Sequence, residues 1–174
     1  MHAPAPPQAP PPGFKQITIW LTGYSWQDNT PPGSSEVGEP VLHKEAGGQG
    51  TFADPITVAA PGLQDVMTLK AGTKFYLPTV QRYVIVEDSG AAPPPAQAQT
   101  HLDMWVDGRD GTKATVDDCE DQFTGKVSAQ ENPPDGLPVM AGPIFANHSC
   151  NIPPQPDDLG TYQDAGGHQP PPGG

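Results

Sequence analysis

The sequence predicts an all-β domain, a small barrel or sandwich. Three observations point to it: segments alternating apolar and polar residues, Gly- and Pro-rich turns between them, and little helical periodicity. In ITIWLTGYSW (17–26), Ile17, Ile19 and Leu21 form an aliphatic face, while Thr18, Trp20, Thr22, Tyr24 and Trp26 form the other. That is the period of two that a strand imposes on its side chains. TFADPITVAA (51–60), TKFYLP (73–78), RYVIVEDS (82–89) and HLDMWVD (101–107) are the further strand segments. VIV (84–86) is apolar on both faces and marks the most buried strand. DNTPPGSS (28–35), AAPG (59–62) and SGAAPPPAQ (89–97) supply turns, and GLQDVMTLKAG (62–72) offers at most a short helical turn.

Proline (25) and glycine (20) make up about a quarter of the 174 residues, and they crowd the ends. Residues 1–13 and 160–174 hold almost nothing that packs, so both are expected to be disordered, polyproline-like where prolines adjoin. The expected core is 14–108. Residues 109–159 read as an irregular acidic arm wrapping it, since Pro133, Pro134, Pro138, Pro143, Pro153 and Pro154 interrupt any long element. Cys119 and Cys150 are an even pair in a loop-rich chain and read as a disulfide pinning that arm; two separate buried thiols are the alternative. Their spacing fits no metal motif, and no metal or cofactor is expected.

Lys and Arg total 8 against 20 Asp and Glu, a formal charge of −12. Such a surface repels phosphate backbones, which excludes nucleic acid as a partner. No apolar run is long enough to span a bilayer, so no membrane partner is expected. Residues 1–13 lack the basic start and apolar stretch of a signal peptide.

The chemistry-bearing residues cluster on the non-aliphatic faces. Trp20, Trp26 and Trp105 each share a face with polar residues rather than with Ile or Leu. Rings beside threonine, histidine and carboxylates suit a sugar, covering its C–H face while polar groups bond its hydroxyls. The alternative is that the rings pack beneath the Pro-rich arm. Asp54, before Pro55, reads as a structural turn residue, and Asp88, before Ser89-Gly90, reads singly as a turn cap. Asp103 stands mid-strand, where aspartate is disfavoured. Burial near Trp105 and Asp88 would raise its pKa by desolvation and like-charge repulsion, keeping it protonated for delivery to a glycosidic oxygen. Ser34, Ser35 and His43 form no triad, His148 is a solvated or structural imidazole, and the tail after His2 offers no second copper ligand.

The ordered set TGYS, TFADPITVA, GTKFYLP, YVIVEDSG and HLDMWVDG (within 17–107) resembles the three-aspartate (3D) domain of bacterial cell-wall proteins. Asp54, Asp88 and Asp103 match its three name-giving aspartates. The resemblance implies a six-stranded double-psi β-barrel, shared with rare-lipoprotein-A-like proteins, expansins, family-45 endoglucanases and A-type lytic transglycosylases. HLD (101–103) is similar to the His-Phe-Asp of expansins. The chain departs from the family in the long stretch between Pro55 and Gly72 and in the Pro-rich connection 89–100.

The resemblance implies a secreted, monomeric protein acting on a cell-wall polysaccharide (peptidoglycan, chitin or cellulose). Asp103 and Asp88 are then the candidate catalytic pair, and Thr22, Tyr24, Trp26, His101 and Trp105 the substrate-binding residues. A lytic transglycosylase-like reaction needs one carboxyl, whereas an inverting hydrolase needs a second to activate water. Asp28 is the one candidate for that second role. Expansin-like loosening needs the acid alone. The alternative function is a non-catalytic binder such as a cysteine-protease inhibitor, working through the Pro-rich loops 28–40 and 130–156.

Overall fold

The computed structural model describes residues 11–63 and 66–155. Its elements run β1 (Lys15–Ser25), β2 (Ile56–Pro61), β3 (Lys74–Leu77), β4 (Arg82–Ala91), β5 (His101–Asp107), α1 (Lys113–Phe123), β6 (Gly125–Glu131), β7 (Phe145–Ala146) and β8 (Ser149–Cys150). The first six strands close on themselves in the ring β1–β6–β3–β4–β2–β5, with β5 pairing back to β1. β7 and β8 extend the sheet beyond β5.

The ring has an internal twofold relation. β1–β5 and β4–β2 are parallel, β1–β6 and β4–β3 antiparallel, and β2–β5 and β3–β6 antiparallel. Exchanging β1 with β4, β2 with β5 and β3 with β6 reproduces every pairing. This is the double-psi β-barrel, and closure removes the exposed strand edges of an open sheet.

Its interior is what the aliphatic faces predict. Ile19 and Leu21, Ile56 and Val58, Phe75 and Leu77, Val84 and Val86, Leu102, Met104 and Val106 are all buried in one cluster. Tyr83 and Ile85, on the other face of β4, are buried as well, so that strand is covered on both sides. Gly23 lets α1 lie on β1: a Cβ there would come within 2.8 Å of Glu120 Cγ and 2.9 Å of Phe123 Cζ.

Two expectations need correction. The barrel does not end at residue 108, because β6 (Gly125–Glu131) is its sixth strand. The arm is not irregular throughout, because α1 forms within it. Thr112 caps α1, its hydroxyl and that of Thr115 satisfying the free amides reciprocally. The remainder of the arm does wrap the barrel. Tyr76 and Tyr83 hydroxyls donate to Pro138 O and Pro134 O, and the buried Arg82 guanidinium donates to Val80 O, Gly142 O and Asn151 O.

Cys119 and Cys150 form the expected disulfide, tying α1 to β8. Closing a loop of that length stabilises by about 3–4 kcal/mol on the chain-entropy account. The extended termini expected for 1–13 and 160–174 fall outside the described residues, apart from a turn at 11–13.

Candidate functional site

The parallel pairing of β1 with β5 sets Thr22 opposite Asp103 and Tyr24 opposite Trp105. β2 lies between β4 and β5, and Ala59 is the partner of both Asp88 and Asp103. A methyl group therefore separates the two carboxylates, and a cleft of about 480 Å³ opens above them. Tyr24, Ala59, Asp88 and Asp103 line it together with Asp28–Thr30, Glu36–Gly38, Leu63 and Ser89–Ala91.

Asp103 is half-buried at this cleft. Its Oδ1 lies 2.7 Å from Thr22 Oγ1, and no described residue is hydrogen-bonded to its Oδ2. Burial pushes its pKa up to about 7; the Thr22 hydrogen bond opposes this, while the charges of Asp88 and Asp28 add to it.

Thr22 Oγ1 also lies 2.6 Å from His101 Nε2, and His101 Nδ1 lies 2.8 Å from Ala92 O. A carbonyl only accepts, so Nδ1 carries a hydrogen. The single Thr22 proton then serves one neighbour at a time. Either Asp103 donates to Thr22 and Thr22 to a neutral His101, or an imidazolium donates to Thr22 and Thr22 to an Asp103 carboxylate. Burial holds the His101 pKa down, outweighing its bond to Ala92, and Asp103 is pushed up. Both shifts favour the first arrangement, with the proton on Asp103. When Asp103 ionises, Thr22 turns its proton to the carboxylate, and that charge-assisted bond is what pulls the Asp103 pKa down. Thr22→Val removes it, so the Asp103 titration should move upward from about 7, observable by carboxyl 13C NMR. An unchanged or lowered midpoint would contradict this role.

Asp88 is held from three sides. Its Oδ2 accepts from Tyr24 Oη at 2.8 Å, and its Oδ1 accepts from Gly38 N and Ser89 N at 3.0 Å. It thereby fixes both the phenol and the loop that walls the cleft. Burial, with Asp88 next in importance, holds the Tyr24 pKa well above the usual value.

The same loop is anchored by Glu87, whose side chain is fully buried. Glu87 accepts from Leu42 N, His43 N and Thr57 Oγ1 and contacts His43 Nδ1 at 2.8 Å. The other ring nitrogen of His43 lies 2.6 Å from Asp54 Oδ1. Asp54 thus stands outside the cleft, clamping an imidazole. Burial pulls the His43 pKa down, but the bonds to Asp54 and Glu87 outweigh it and leave the pKa raised.

Several expected binding residues are placed differently. Thr22 and His101 are 1% and 2% exposed and hold Asp103 from behind instead of facing a ligand. Trp105 is 3% exposed and packs edge-on against Tyr24, centroids 5.4 Å apart. Trp26 is half-buried with Arg109 over its ring at 4.4 Å, and Trp20 is 9% exposed; no indole lines the cleft. The cause is that α1, the loops and the arm cover the barrel exterior, so the non-aliphatic faces are buried too. Asp28 does reach the cleft, though it is ion-paired with Lys113 Nζ at 3.0 Å. Glu120, on the buried face of α1, was not anticipated; burial pushes its pKa up to about 9, helped by the charges of Asp28, Asp103 and Asp117.

The shifts of Asp103, Glu120 and His43 share one sign, and the lowered pKa of His101 opposes them in part, since a buried neutral imidazole gains stability as pH rises toward its ordinary ~6.5. Asp103 has an ordinary value of ~3.9, so between that and about 7 the folded chain holds a proton the unfolded chain has lost, and stability falls as pH rises. Glu120 acts likewise up to about 9. The raised His43 contributes stability that is complete below its ordinary ~6.5 and lost as pH rises through its folded value. The melting temperature should therefore be higher at pH 5 than at pH 8, with a shallower slope in Asp103→Asn. A melting temperature that climbs over this range would contradict the assignment.

Comparison with known proteins gives three findings. The family model of the DDB_G0273701 N-terminal domain matches residues 16–151. An uncharacterised protein of Dictyostelium discoideum, DDB_G0273701/DDB_G0273221, is 38% identical over 113 residues, covering 63% of this chain and 48% of that protein. The chain thus spans about half the length of the curated relative it matches. No solved structure matches.

Proposed function

This chain belongs to the DDB_G0273701 N-terminal domain family, whose match reaches into all six barrel strands; from the cleft those strands build, we propose a secreted protein that binds, loosens or cleaves a cell-wall polysaccharide, with Asp103 as general acid. The observation carrying this reading is the Asp103 carboxyl, open to a cleft of about 480 Å³ and holding its proton up to about pH 7. That volume falls within the range of roughly 300–1,000 Å³ found for small-ligand clefts. The disulfide supports an oxidising compartment. Resemblance of the strand motifs to the three-aspartate and expansin barrels points the same way.

One acid without a free partner carboxylate supports the expansin-like and transglycosylase-like versions over an inverting hydrolase. Asp88 is fully engaged by Tyr24, Gly38 and Ser89, and Asp28 is paired with Lys113. Tyr24, Val37, Leu63 and Ala91 supply the apolar surface for a sugar that the indoles do not. The loops that an inhibitor would present are tied down: Gly38 to Asp88, and the carbonyls of Pro134, Pro138 and Gly142 to the barrel. This supports the cleft over the loops as the working surface. The test is incubation with peptidoglycan, chitin and cellulose, reading released sugars and loss of wall stiffness for wild type and Asp103→Asn.

A further inference from the structure

We propose that Asp28, Asp117 and Glu120 bind one hard divalent cation of calcium size at the rim of the cleft, and that Lys113 is the internal cation it displaces. Asp117 and Glu120 lie three residues apart on α1 and so project from one helix face, and Asp28 comes from the loop after β1. One carboxylate oxygen from each lies within 4.8 Å of the others. Ca–O distances are roughly 2.3–2.6 Å, so a single calcium sphere spans that spread; Mg–O distances, roughly 2.0–2.1 Å, require contraction. An all-oxygen set selects a hard ion over zinc or copper.

A second observation is independent of the clustering. Glu120 is 4% exposed, yet among the described residues its Oε2 has no hydrogen-bond partner, and Asp117 Oδ1 is likewise buried without one. Buried acceptors normally have donors, so an unpartnered oxygen on two of the three clustered residues marks a position suited to a positive ligand, and an entering ion takes the place of the proton that burial keeps on Glu120 at neutral pH. Lys113 already brings charge to the edge of that position, its Nζ lying 3.0 Å from Asp28 Oδ1 and 2.9 Å from Asp117 Oδ2. It makes no hydrogen bond to Glu120, though its charge acts on that residue, and its side chain is 60% exposed, so it can swing into solvent when an ion enters. Sequence spacing hides the set, because Asp28 lies far along the chain from the helix.

The site does not depend on the glycan reading, although Asp28 lines the same cleft. Calorimetric titration of the chelator-treated full chain with calcium chloride, and separately with magnesium chloride, tests it. Wild type should bind one calcium per chain, with magnesium at least tenfold weaker. Lys113→Met should bind calcium several-fold more tightly, because the competing ammonium is gone. Asp117→Asn and Glu120→Gln should each lose at least tenfold. Should Glu120→Gln fail to fold by circular dichroism, the half-exposed Asp117→Asn carries the comparison. Absence of saturable calcium binding in wild type and in Lys113→Met overturns the proposal, as does wild-type affinity in Asp117→Asn.

Discussion

Asp103→Asn is expected to lower release of sugars or loosening of the wall by about 10²–10⁴-fold, the range for removing a general acid. The amide keeps the shape and the hydrogen bond with Thr22 but has no proton to give. In wild type the rate should hold steady below about pH 7 and fall about tenfold per unit above it, because only protonated Asp103 acts. The variant should also gain stability at pH 8, where the wild-type carboxylate is least comfortable. Equal rates for the two proteins would remove Asp103 from the mechanism while leaving the fold untouched.

The second large effect concerns Arg82. Its side chain is fully buried and has no carboxylate partner among the described residues; burial holds its pKa down at about 10. Its three nitrogens donate to Val80 O at 2.7 Å, Gly142 O at 3.1 Å and Asn151 O at 2.7 Å. One guanidinium thus fixes two points of the C-terminal arm to the start of β4. In Arg82→Met the volume is nearly kept but three carbonyls lose their donor, at about 1–3 kcal/mol for each that water cannot reach. A total loss of about 3–5 kcal/mol is expected in chemical denaturation, among the largest for a single substitution. The arm should become sensitive to protease before the barrel does. A loss below about 1 kcal/mol would show that water replaces the side chain freely.

The barrel strands β1 to β5 were legible because alternation is strong wherever one face meets an aliphatic interior, as at Ile19 and Leu21 or Leu102, Met104 and Val106. β6 was not. In GKVSAQE only Val127 and Ala129 are apolar, and both are small, so the strand reads as loop until β1 and β3 supply its partners. α1 was hidden for a related reason. Its buried positions Val116, Cys119, Glu120 and Phe123 follow helical spacing, but one of them is an acid. Acidic density therefore masks an amphipathic face.

The site was legible to a similar extent. A mid-strand aspartate is costly to bury, and that argument singled out Asp103, which lines the cleft. Reading Thr22, His101 and Trp105 as ligand-facing failed because the outer face of this barrel is itself covered. The relay from Asp103 through Thr22 to His101 depends on strand register, and the His43 clamp on residues 11 and 44 positions away, neither of which periodicity reveals.

The measurement bearing most directly on this account is the pH titration of the Asp103 carboxyl carbon by 13C NMR, assigned with Asp103→Asn. A midpoint near 7 is the predicted result. A midpoint near ~4, the ordinary range for an aspartate, would mean that the cleft holds a carboxylate with no proton to deliver at neutral pH.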